Sequence, residues 1–89
     1  MFTFDESKRK INLAKHGIDL AKCESVFDFP MKTEEDTSAH YGEQRLKSLG
    51  WFDASVVMLV WTDRAAGPHL ISCRYADKYE TKKYFKTAV

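Results

Sequence analysis

The 89 residues carry 14 lysines and arginines against 13 aspartates and glutamates, a net charge of +1 that excludes whole-surface attraction to nucleic acid and leaves only a local basic patch for that role. With 44% apolar and 30% charged residues the composition is that of an ordinary globular protein, and the length sets the expectation of one domain, 1–89, with one modest core. No apolar run approaches the roughly 18 residues of a membrane helix, and Met1-Phe2-Thr3-Phe4-Asp5-Glu6 lacks the basic-then-apolar order of a secretory signal, so the cytoplasm is the expected address.

Phe2 to Phe4 alternate apolar and polar, which predicts a short strand or extended arm. Asp5 is placed to cap a helix, with Glu6 adding negative charge where the dipole favours it. That helix runs to about His16, because Gly17 suits a left-handed C-cap and Lys15 and His16 suit the last turn. Ile11, Ala14 and Ile18 follow the spacing of a core-facing stripe, while Lys8, Asn12 and Lys15 recur on a neighbouring basic face. Asp19 then caps a second helix over about Leu20 to Phe27, with Leu20, Cys23, Val26 and Phe27 as its apolar stripe, and Pro30 ends the pattern.

Met31 to His40, with Glu34, Glu35 and Asp36 and no apolar period, reads as a surface loop. Gln44 to Trp51 reads as a strand, and its broken alternation at Leu46 and Leu49 marks an edge strand or a bulge before Gly50. After a turn at Phe52-Asp53-Ala54, Ser55 to Thr62 and His69 to Ala76 read as a central hairpin whose first strand is apolar on both faces, with Gly67-Pro68 in the turn. Asp77 and Glu80 carry a capping-box spacing for a final helix, on which Glu80 and Tyr84 share one face and Lys78, Lys82, Lys83 and Lys86 make the rest basic. The sum is an α+β domain: two N-terminal helices on a small, mainly antiparallel sheet, with a short C-terminal helix.

Cys23 and Cys73 form no C-x-x-C pair and are expected as small buried hydrophobes. His16, His40 and His69 are far apart, with no spaced ligand pair, so neither a metal site nor a cofactor is expected. The remaining inventory suits cleavage of an RNA phosphodiester without metal. That reaction needs a base for the ribose hydroxyl, cations for the charge gathering on phosphorus and an acid for the leaving oxygen. Arg64 and Arg74, at strand ends, offer guanidinium forks, and His16, Glu80 and Tyr84 are the titratable or hydroxyl candidates. Many small domains own these residue types, and strand-end arginines often serve only as surface ion pairs.

Phe4-Asp5-x-x-Lys8-x-x-x-Asn12-x-x-Lys15-His16-Gly17-Ile18, followed by Val26-Phe27-Asp28-x-Pro30, resembles the opening pattern of the BrnT toxin family. Tyr41-Gly42-Glu43-x-Arg45, Gly50, Thr62-x-Arg64, Ile71-Ser72-x-Arg74-x-Ala76 and Glu80-x-x-x-Tyr84 follow in that family's order. The resemblance implies a RelE-like fold and the ribonuclease toxin of a type II toxin-antitoxin pair. It further implies neutralisation by a BrnA-type antitoxin with a ribbon-helix-helix domain, through which alone the complex binds operator DNA. Two positions depart from the pattern: His69 stands where an arginine is expected before the Ile71-Ser72 step, and Thr81 follows Glu80 where an arginine is expected. Both lower the cationic capacity of that side, and a degenerate toxin that only binds antitoxin or nucleic acid is the rival reading.

On the toxin reading Arg64 and Arg74 stabilise the transition state, Glu80 or His16 moves protons, and Lys8, Lys15 and Lys83 hold the RNA backbone. The antitoxin is expected to cover the face bearing Arg64 and Arg74. Two arginines clamp one phosphate only from one face of the hairpin, and pairing Thr62 with Ser72 puts them together whereas pairing Thr62 with Ile71 separates them. The first register, or a loop at Arg64 with the same effect, is expected.

Overall fold

The computed structural model describes residues 1–37 and 42–88, so His40 and Tyr41 lie outside the described residues. Along the chain come β1 (Thr3–Phe4), α1 (Glu6–His16), a 3-10 helix η1 (Leu20–Asp28), β2 (Lys32–Glu35), β3 (Leu46–Phe52), β4 (Ser55–Arg64), β5 (Gly67–Tyr75) and α2 (Lys78–Ala88). The sheet has the order β1-β5-β4-β3-β2, with β1 parallel to β5 and every other pair antiparallel. Among the described residues this is an α+β architecture with a five-stranded mixed sheet and three helices.

β4 runs through the middle, and its alternation divides the core. Val57 and Leu59, with Leu70 and Cys73 of β5, pack against Ile18, Leu20, Cys23 and Val26, with Trp61 at the margin. On the opposite face Val56 and Met58 join Leu49, Trp51 and Ala76 under Tyr84 of α2. Both cysteines are free and buried, as their composition-based reading had it.

Several local expectations need correction. η1 is 3-10 rather than α-helical, and its buried residues, Leu20, Cys23 and Val26, recur every third position, which is the 3-10 period. The Asp19 side chain caps it by accepting from the Ala21 N–H at 2.9 Å. Asp5 occupies the N-cap of α1 with extended backbone, but its side chain makes no capping bond. The α1 stripe is rotated: Ile11 is 60% exposed and Ala14 is exposed, whereas Asn12 is buried.

The supposed loop after Met31 contains β2, held by pairing with β3 and by a 2.7 Å hydrogen bond between the Thr33 and Ser48 hydroxyls. β3 is therefore internal, flanked by β2 and β4, and has no bulge before Gly50. Gly67 and Pro68 belong to β5, opposite Arg64 and Asp63, which leaves Ala65-Ala66 as the turn. Thr62 pairs with His69, so neither proposed register holds. The bulge lies in β5, where Val60 opposes Ser72 and Trp61 opposes Leu70, leaving Ile71 as the extra residue.

The Asp53-Ala54 turn is as expected in place, with both residues at positive φ (50° and 59°), the left-handed pair that joins two-residue hairpins.

Candidate active site

α1 sets the site's position. Its C-terminus is fixed by Gly17, at φ 73°, whose N–H bonds to the Leu13 carbonyl, so His16 is the last helical residue. Asn12 fastens the helix to the sheet: its Nδ2 donates to the carbonyls of Ile18 (2.8 Å) and Cys73 (2.9 Å), and its Oδ1 accepts from the Cys73 N–H (2.9 Å). Lys8 and Lys15, one turn before and nearly one turn after Asn12, consequently flank β5. Lys8, Ile11, Asn12, Lys15 and His16 line a cleft of about 240 Å³ with Ile71 and Ser72.

Next to it, Arg74 makes a two-pronged ion pair with Glu80, Nη1 to Oε1 at 2.8 Å and Nη2 to Oε2 at 2.9 Å. The capping box at the start of α2 aims that carboxylate. The Glu80 N–H donates to Asp77 Oδ1 at 2.8 Å, and the Asp77 N–H returns a bond to Glu80 Oε1 at 3.1 Å. Glu80 therefore titrates below the ordinary carboxylate range, held there mainly by Arg74, and the Arg74 guanidinium is shifted up by the same pairing. Burial pushes the His16 imidazole below its ordinary value, and the positive charges of Lys15 and Arg74 push it further. A neutral imidazole thus faces a cleft rimmed by cations at neutral pH.

The other expected site residues are elsewhere. Arg64 pairs with Gly67 at the turn while Arg74 pairs with Met58, six positions along β4, so their backbones lie about 20 Å apart along the strand. Arg64 bonds instead to exposed Glu43 at 2.9 Å. With Arg64 held by Glu43 and Arg74 by Glu80, the two guanidinium groups do not converge here. Tyr84 is buried, and its hydroxyl donates to the Pro30 carbonyl at 2.8 Å, tying α2 to the loop before β2. Lys83 reaches Glu34 of β2 at 3.3 Å.

The structure thus gathers Lys8, Lys15, His16, Arg74 and Glu80, and leaves Arg64, Tyr84 and Lys83 outside. The chemical inventory of the sequence does not include Asn12, Ile11, Ile71 or Ser72: helical spacing puts Asn12 on the basic face and Ile11 on the core stripe, and Ile71 and Ser72 stand out only as letters of a family pattern. The two departures have local roles. His69 is buried with its Nδ1 2.7 Å from the Thr3 hydroxyl, joining β1 to β5, and the Thr81 hydroxyl donates to the Asp77 carbonyl at 2.8 Å.

Residues 4–80 match the family described as the ribonuclease toxin BrnT of type II toxin-antitoxin systems. The chain belongs to this family. No curated protein matches it. Membership in the BrnT family makes RNA the substrate class and an antitoxin the partner. Among the described residues, no helix is long and apolar enough to cross a membrane.

Proposed function

We propose that this chain, as one RelE-like domain over 1–89, is a cytoplasmic endoribonuclease toxin that cleaves RNA in the α1/β5 cleft without a metal ion. The observation that carries this reading is convergence: Lys8, Lys15, His16 and Ser72, none of which forms a side-chain hydrogen bond or ion pair among the described residues, all line one cleft beside an arginine buttressed by Glu80. Unengaged donors converging on a cleft are what an anionic substrate would occupy.

In this mechanism neutral His16 takes the proton from a ribose 2′-hydroxyl, and the 2′ oxygen attacks the adjacent phosphorus. Arg74, oriented by Glu80, and the flanking lysines stabilise the charge that collects on the non-bridging oxygens. The P–O5′ bond breaks, and the departing oxygen, far more basic than an amine, is protonated by a lysine ammonium or by solvent. The products carry a 2′,3′-cyclic phosphate and a 5′-hydroxyl. Glu80, held ionised, is a positioning residue, and proton movement falls to His16.

A BrnA-type ribbon-helix-helix antitoxin would neutralise the toxin by covering this cleft, and the pair would reach operator DNA through the antitoxin. The test is to incubate the purified, antitoxin-free protein with RNA in chelator and to analyse the ends. Cyclic-phosphate products support the reading. Cleavage that vanishes in chelator and returns with a divalent ion overturns the metal-free mechanism. RNA that is bound but left intact leaves the non-catalytic reading.

A further inference from the structure

We propose that the α1/β5 cleft seats one nucleobase of the RNA, with Ile11 and Ile71 as its apolar walls and the Ser72 hydroxyl reading the base edge. This deepens, and rests on, the ribonuclease reading of the same cleft.

Ile11 occupies a position that helical spacing assigns to the core, yet it is 60% exposed, because Asn12 turns the helix so that the amide, not the isoleucine, meets β5. Ile71 is the unpaired residue of the β5 bulge, and bulges commonly re-aim a side chain beside a functional site. Two unrelated irregularities, one in a helix and one in a strand, therefore bring isoleucines to the same small cleft.

Chemistry selects the occupant. At about 240 Å³ the cleft lies below the usual span for drug-sized ligands, so it suits one nucleotide unit rather than a longer segment. Its lining joins apolar Ile11 and Ile71 to a cationic side formed by Lys8 and Lys15, with His16 beside them. A nucleotide has that division, since its flat base gains from apolar contact while its phosphate takes the cations. An inorganic anion would use the cationic side and leave the isoleucines idle. Ser72 is half-buried, and its hydroxyl can both donate and accept, so it can favour one base edge over another. His16 at the mouth places the ribose of the seated nucleotide beside the base that takes its 2′ proton, which makes this the nucleotide on the 5′ side of the cut.

The experiment is a methyl NMR titration of the whole chain with a dinucleotide carrying 2′-deoxyribose at the cleavable position, and with its abasic counterpart. The base-bearing ligand is expected to shift the Ile11 and Ile71 methyl signals by ring current, and the abasic one to leave them in place. Ile11→Ala, at an exposed position, should keep the fold and weaken binding of the base-bearing ligand by about 10-fold, the loss of roughly two methylene contacts. Ser72→Ala should flatten the distribution of cut sites across an RNA pool. Methyl signals unmoved by a ligand that shifts His16 and the lysines would reduce the cleft to a phosphate site and overturn the proposal. Base-dependent methyl shifts in a protein that leaves RNA intact would instead uphold the subsite and overturn catalysis.

Discussion

Asn12 of α1 and Cys73 of β5, 61 positions apart, exchange two hydrogen bonds through one amide, which donates to the Cys73 carbonyl and accepts from its N–H. The reason lies in the sheet. β1 pairs with β5 only at His69 and Leu70, so among the described residues the edge of β5 beyond Leu70 has no strand beside it. A buried edge must satisfy its backbone groups, and the Asn12 amide, which has the donor and acceptor of a peptide unit, takes the place of the missing strand at Cys73.

Asn12→Ala is expected to lower stability by about 3 kcal/mol, because it strands two carbonyls and one N–H in the interior, each costing about 1–3 kcal/mol unless water enters. Asn12→Asp should be at least as harmful, since it removes both donated bonds and buries a charge. Urea denaturation measures both. Midpoints within about 0.5 kcal/mol of the parent would show that the amide is not what holds α1 to the sheet.

Arg74→Ala should lower cleavage by about 10²-fold or more, the scale of losing one charge-stabilising donor, with the fold retained. Arg74→Lys should recover little, since a single ammonium cannot match both Glu80 oxygens. Arg64→Ala, whose partner is exposed Glu43 at the far end of the hairpin, should cost less than about 10-fold. Steady-state kinetics on one RNA decides it, and equal losses for the two alanine variants would place Arg64 back in the site.

How far these features could be read from sequence depended on whether their cause was local. The stop at Gly17, the Asp77–Glu80 capping box and the turn at Asp53-Ala54 are set by neighbouring residues and were legible. The period of three in Leu20, Cys23 and Val26 is present too, but with Phe27 beside it the stripe fits an α-helix as well as a 3-10 one. β2 was not legible, because Lys32-Thr33-Glu34-Glu35 has no apolar alternation and is held by β3 rather than by its own side chains. Nor was the register that sets Arg74 opposite Met58, which follows from a turn at Ala65-Ala66 and a bulge at Ile71 that no residue type announces. The outward turn of Ile11 is likewise a consequence of a distant strand edge that Asn12 must satisfy.

Gly50 illustrates the same limit and supports another prediction. It marks a close approach rather than a bulge, since a Cβ there would lie 2.5 Å from Val26 Cγ1. Gly50→Ala should destabilise by about 1–3 kcal/mol through overpacking. Adding Val26→Ala should return part of that loss, so the double variant should be more stable than the sum of the single effects. Strict additivity in denaturant unfolding would mean that η1 does not rest on β3 at this point.

The pH dependence follows from His16. Its folded-state pKa lies below the ordinary 6.5 because burial, Lys15 and Arg74 all oppose the imidazolium. The unfolded chain therefore binds a proton at His16 more readily than the folded one, and stability falls as pH drops through 6.5 toward the folded value. His16→Gln lacks this slope and should gain on the parent over that range. Catalysis has the same origin, since only neutral imidazole can take the 2′ proton. The parent kcat/KM should be level at neutral pH and fall on an acid limb centred below 6.5. Arg74→Ala removes one opposing cation and leaves Glu80 unpaired beside the site, and both changes favour the imidazolium. The acid limb of its residual activity should accordingly move up. A parent limb at or above 6.5, or one that stays in place in Arg74→Ala, would remove His16 from the role of base.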